Sequence, residues 1–69
     1  MDMKWVIKRG GLSQEEFKKK ALDYLEDTFC ISREYADDIF ENCMEQGYTI
    51  IGPHDTMQVN SARDEILFR

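Results

Sequence analysis

The sequence predicts a small α+β domain in the order strand, helix, helix, strand, strand, closed by an apolar C-terminal tail. Three observations carry this expectation. A short run of strand formers opens the chain, two serine-capped segments with helical spacing follow, and two β-branched runs then flank a Gly-Pro turn. The chain has 69 residues, so a single domain spanning 1–69 is expected; a typical domain is about 100–200 residues.

Met3 to Arg9 reads as the first strand, with Trp5 and Ile7 on one side of a period-two pattern, and Gly10-Gly11 ends it. Ser13-Gln14-Glu15-Glu16 is a capping box, in which the serine serves the amide three residues on and the glutamate reaches back. Leu12 and Phe17 are spaced as a hydrophobic staple around it. Phe17, Ala21, Tyr24, Leu25 and Thr28 then fall on one face of a helix over about 14–27. Lys18, Lys19 and Lys20 lie mostly off that face, in water.

Phe29-Cys30-Ile31 reads as a buried connector, and Ser32 as a second N-cap. Tyr35, Ala36, Ile39, Phe40, Cys43 and Met44 follow helical spacing closely, giving a second helix over about 33–46 with Gly47 as its C-cap. Tyr48–Ile51 and Thr56–Val59 form a hairpin around the four-residue turn Gly52-Pro53-His54-Asp55. Residues 61–69 read as a short helix or an irregular tail, whose Ile66-Leu67-Phe68 cluster is too apolar to stand in water. The expected core is Trp5, Ile7, Phe17, Ala21, Leu25, Phe29, Ile31, Ala36, Ile39, Phe40, Cys43, Met44, Ile50 and Val59.

Two helices joined by a tight connector and followed at once by a hairpin make a helix-turn-helix with a wing, with the first strand pairing beside the hairpin in a three-stranded sheet. Phe29-Cys30-Ile31-Ser32, Ala36, Ile39, Met44-Glu45, Gly47 and Ile50-Ile51-Gly52-Pro53 resemble the core of winged-helix domains. The likeness covers about 25–60 and is distantly similar to the gamma domain of the bacterial DNA translocase family. That resemblance implies a winged-helix fold, with DNA met by basic residues at the start of the second helix. Here those positions hold Ser32, Arg33, Glu34 and Tyr35, followed by Asp37-Asp38 and Glu41, so only Arg33 keeps the basic character.

Charge patterning points the other way from DNA. The formal charge is −5 and the pI about 4.7, whereas nucleic-acid-binding domains carry a basic footprint. Residues 1–20 hold six Lys/Arg against three Asp/Glu, while 21–48 hold one against eight. Helical geometry turns Glu34, Asp37, Asp38, Glu41 and Glu45 outward. Of these, 34, 38, 41 and 45 align in one stripe spanning about 16 Å. A solvated, solubilising face is the bland reading of such a stripe. The sharper reading is a docking surface for a basic protein partner, one that itself holds nucleic acid.

Catalytic readings do poorly. Acid–base chemistry by carboxylates needs separated pKa values in a water-excluding pocket, which a convex helix face lacks. Ser13 and Ser32 read as caps, His54 as a turn residue, and Gly10-Gly11 matches no phosphate-binding motif. Cys30 and Cys43 read as two small core residues. With one histidine they leave a zinc site a ligand short, so no cofactor or metal is expected.

No apolar run approaches the roughly 18 residues of a membrane span, and no signal-peptide pattern opens the chain. The expected protein is thus cytoplasmic, not an enzyme, and a regulator or inhibitor of the size carried by phages and mobile elements. The alternative is a winged-helix DNA-binding regulator or excisionase-like architectural protein. It would use Lys4, Lys8, Arg9, Lys18, Lys19 and Arg33. Self-association through the apolar tail, or through Tyr24 and Tyr48, is a third expectation.

Overall fold

The computed structural model describes residues 4–69, so Met3 of the expected first strand lies outside the described residues. The elements are β1 (Trp5–Lys8), α1 (Gln14–Phe29), α2 (Arg33–Gln46), β2 (Tyr48–Gly52), β3 (Asp55–Asn60) and β4 (Glu65–Phe68). The four strands form one antiparallel sheet in the order β1-β4-β3-β2. The fold is α+β, with two helices followed by antiparallel hairpins.

Local chemistry sets the helix bounds. Ser13 Oγ accepts from the Glu16 amide at 3.2 Å and Glu16 Oε1 accepts from the Ser13 amide at 3.2 Å, completing the capping box. That backbone hydrogen bond, with the one from the Ser13 side chain, holds the Glu16 carboxyl below its ordinary range. Residues 28 and 29 extend the helix beyond the expected end, and the chain leaves it through Cys30 at φ 53°. A left-handed residue with a side chain is unfavourable by about 1–2 kcal/mol. Ser32 caps α2 through the Tyr35 amide at 3.1 Å. Gly47, at φ 89°, closes it by donating to the Cys43 carbonyl at 2.8 Å.

Both helices pack on one face of the sheet. Phe17, Ala21, Leu22 and Leu25 from α1 and Ala36, Ile39, Phe40 and Cys43 from α2 meet Ile7, Met57, Ile66 and Phe68 from the strands. Burying a large apolar side chain contributes about 1.5–3 kcal/mol, and these residues supply the sheet-to-helix core.

The C-terminal segment corrects the expectation of a helix or irregular tail. Residues 65–68 form β4, an interior strand between β1 and β3, with Ile7 opposite Ile66 and Val59 opposite Ile66 on its other side. The first strand therefore pairs with β4 and not beside the hairpin, and the sheet has four strands where three were expected. Interior position explains the apolar cluster: Ile66 and Phe68 point to the helices and are buried, while Leu67 faces the opposite side between Val6 and Gln58.

Four residues expected in the core lie elsewhere. Ile50 is 69% exposed, because Thr49 and Met57 are the cross-strand pair that faces the helices. Strand side chains alternate, so a choice of the wrong parity sends every residue to the other face. Trp5 is 54% exposed at the sheet edge, its ring parallel to that of Tyr24 with centroids 6.2 Å apart. Met44 stands at the margin of the apolar arc of α2, partly in solvent. Cys30 is exposed as the helix cap, and Cys43 is buried; both are free thiols. Leu22, Met57, Ile66 and Phe68 join the core without having been expected there.

Candidate carboxylate face

The outward side of α2 follows from what its inward side must bury. With Ala36, Ile39, Phe40 and Cys43 committed to the core, 3.6 residues per turn leave Glu34, Asp38, Glu41 and Glu45 along the opposite line. All four are exposed, and Asp37 sits half-buried on the flank turned to α1.

Lys18 of α1 reaches across that flank. Its Nζ lies 2.7 Å from Asp37 Oδ1 and 2.9 Å from Glu41 Oε2, and 5.7 Å from the centre of the Phe40 ring. The Asp37 hydrogen bond, then that of Glu41, raises the Lys18 pKa above its ordinary value. Asp37 and Glu41 are thus partly neutralised inside the chain. Glu34, Asp38 and Glu45 form no ion pair among the described residues. One ammonium serves five carboxylates.

The basic residues are largely committed elsewhere. Arg33 does not extend outward from the start of α2. It turns back to α1, with Nη2 2.8 Å from Asp23 Oδ1 and Nε 2.6 Å from Glu26 Oε2. Lys4 pairs with Asp55 across the β3 start, and Arg9 stands 4.0 Å from Asp64. Of the candidate nucleic-acid residues, Lys8 and Lys19 carry no ion pair among the described residues, and neither does the neighbouring Lys20. They stand on β1 and α1, not on α2.

The remaining candidates have structural uses. Ser13 and Ser32 cap helices. His54 is exposed in the β2–β3 turn and its carbonyl accepts from Lys4 Nζ at 3.4 Å. The Cys43 thiol donates to the Met57 carbonyl at 3.5 Å, and burial pushes its pKa up to about 11. At neutral pH it is therefore a protonated, enclosed thiol and a poor nucleophile.

Sequence reasoning missed the Lys18 bridge. A signal was present: Lys18 precedes Leu22 by four and Leu25 by seven, which places it on the margin of the interhelical seam instead of in open solvent. Among the described residues no helix is long and apolar enough to cross a membrane. Compared with protein families, curated proteins and solved structures, the chain matches none.

Proposed function

We propose that this chain is a small non-catalytic cytoplasmic regulator or inhibitor that binds a basic protein partner through the outward face of α2. The observation that carries this reading is the charge imbalance on that face. Glu34, Asp38 and Glu45 lie exposed along one line, without ion-pair partners among the described residues, while Lys18 holds Asp37 and Glu41 to one side. A helix that only solubilises gains nothing from aligned like charges, which repel at such spacings by about 0.2–0.5 kcal/mol per pair. A basic surface docking there would relieve that repulsion.

The winged-helix likeness belongs to the same proposal. The helix pair followed by a hairpin supports it, and β4, inserted between β1 and β3, is where this sheet departs from a three-stranded wing. DNA as the target has less support. The helix in the recognition position presents carboxylates to where phosphates would lie. Four of the six basic candidates, Lys4, Arg9, Lys18 and Arg33, are held in ion pairs.

The test is affinity capture from nuclease-treated host lysate by the wild-type chain and by Asp38→Lys/Glu45→Lys. These two positions are exposed and form no ion pair among the described residues; reversing Glu41 instead would set a lysine against Lys18 and confound the result. Capture of a basic protein by the wild type and its loss in the variant, with unchanged far-UV circular dichroism, is the expected outcome. Equal capture by both removes the reading. An anisotropy titration with duplex DNA at low salt decides the alternative: tight binding with a steep salt slope would favour it.

A further inference from the structure

We infer that the free edge of β2 is a self-complementary interface, and that two copies of this chain pair there antiparallel about Thr49 to form one eight-stranded sheet. The sheet has two edges, and they differ. The β1 edge carries Lys4, Lys8 and then Arg9, and charged side chains on an edge discourage pairing with another chain. The β2 edge carries Tyr48, Thr49 and Ile50, with no charge and no proline until Pro53.

Backbone geometry fixes the register. The Val59 amide donates to the Gly47 carbonyl at 2.9 Å, and Tyr48 stands opposite Gln58 and Thr49 opposite Met57. In an antiparallel ladder the hydrogen-bonded pairs alternate, so Gly47 and Thr49 point their polar groups at β3. Tyr48 and Ile50 therefore direct theirs away from the sheet. A twofold axis through Thr49 brings Tyr48 of one copy opposite Ile50 of the other, twice. Each pair then exchanges both of its free amide–carbonyl bonds. The register shift between Ile50 and Gly52 ends the pairing there.

Side-chain chemistry fits the same register. Tyr48 is 58% exposed and Ile50 69%, and the axis sets each ring against a β-branched side chain, a favourable cross-strand pair. Above them, Asn42 Nδ2 donates to Thr49 Oγ1 at 2.9 Å, which places that flank of α2 over the β2 edge. Tyr35, Asn42 and Gln46 share the flank by helical spacing, and none is charged. In a chain of formal charge −5 with a third of its residues charged, the strip Tyr35, Asn42, Gln46, Tyr48, Thr49 and Ile50 carries no charge of its own, and Asp38 and Glu45 border it on the solvent side. That neutrality is what a second copy of an acidic chain needs in order to approach. A foreign strand would use the backbone groups alone, whereas a second copy also brings its own neutral helix flank. The dimer would set both carboxylate stripes on one side of the joined sheet.

Sedimentation equilibrium from about 10 µM to about 1 mM tests the inference. The weight-average mass should rise from 8.2 kDa toward twice that value. Ile50→Lys, at a position already in water, should return it to the monomer mass with unchanged circular dichroism and thermal midpoint. Added salt should strengthen the dimer by screening the acidic stripes. In a Cys30→Ser background, mixing Tyr48→Cys with Ile50→Cys should give the mixed disulfide in excess over either homodimer. A monomer at all concentrations, a dimer indifferent to Ile50→Lys, dissociation by salt, or preferred homodimer cross-links would each overturn the proposal.

Discussion

Raising the pH above 9 should destabilise this protein in a way that depends on Cys43. The thiol is fully enclosed between α2 and β3, and burial moves its pKa from the ordinary value of 9.0 up to about 11. The unfolded chain therefore loses this proton first. Stability is whole below the unfolded pKa, and it falls as pH rises from about 9 to about 11, because there the folded state binds more protons than the unfolded one. Two pH units at about 1.4 kcal/mol each give a loss of about 3 kcal/mol. A domain of this size has about 3–10 kcal/mol in total, so the change is large. Urea denaturation at pH 8, 9, 10 and 11 reads it as a falling midpoint. Cys43→Ala is the control: it is less stable at every pH, but its midpoint should fall less steeply above pH 9. The Lys18 pKa, raised by Asp37 and Glu41, adds an alkaline loss of the same sign in both proteins and cancels in the comparison. Equal slopes in the two proteins would refute the reasoning, as would labelling of Cys43 by a thiol reagent at the rate of exposed Cys30.

Other outcomes follow from single positions. Met57→Ala should destabilise by about 2–5 kcal/mol, since the side chain is fully buried at the centre of the sheet; chemical denaturation reads this directly. Cys30→Gly should stabilise by about 0.5–1 kcal/mol by relieving the left-handed cap, raising the thermal midpoint by several degrees. Gly47→Ala, at φ 89°, should cost about 1 kcal/mol or more for the same reason reversed. Ser32→Ala should cost about 1 kcal/mol by leaving the Tyr35 amide uncapped.

How much of this was legible in the sequence varies with the kind of signal. The α2 bounds, expected at about 33–46, were readable, because a serine cap, six periodic apolar positions and a closing glycine agree. The end of α1 was not, since Cys30 stands where a glycine would have marked it. Tyr48-Thr49-Ile50-Ile51 has no alternation to reveal its inward side. The parity was set from outside the strand, by the Gly47 turn and by the hydrogen bond from Asn42 to Thr49. Residues 65–68 lacked period two because both faces of β4 are buried, Glu65 and Leu67 on one side and Ile66 and Phe68 on the other, so a strand and a helical turn looked alike. The carboxylate line was legible from helical spacing alone. Its partial neutralisation was not, because Lys18 comes from another element and only the packing of α1 on α2 brings it within 2.7 Å of Asp37.

Two opposite charge reversals, assayed side by side, probe the functional account most closely. Bait carrying Asp38→Lys/Glu45→Lys should lose the basic protein that wild type retains from nuclease-treated lysate. Bait carrying Lys19→Glu/Lys20→Glu should keep it. The reverse pattern, with the lysine variant failing and the carboxylate variant binding normally, would contradict the account.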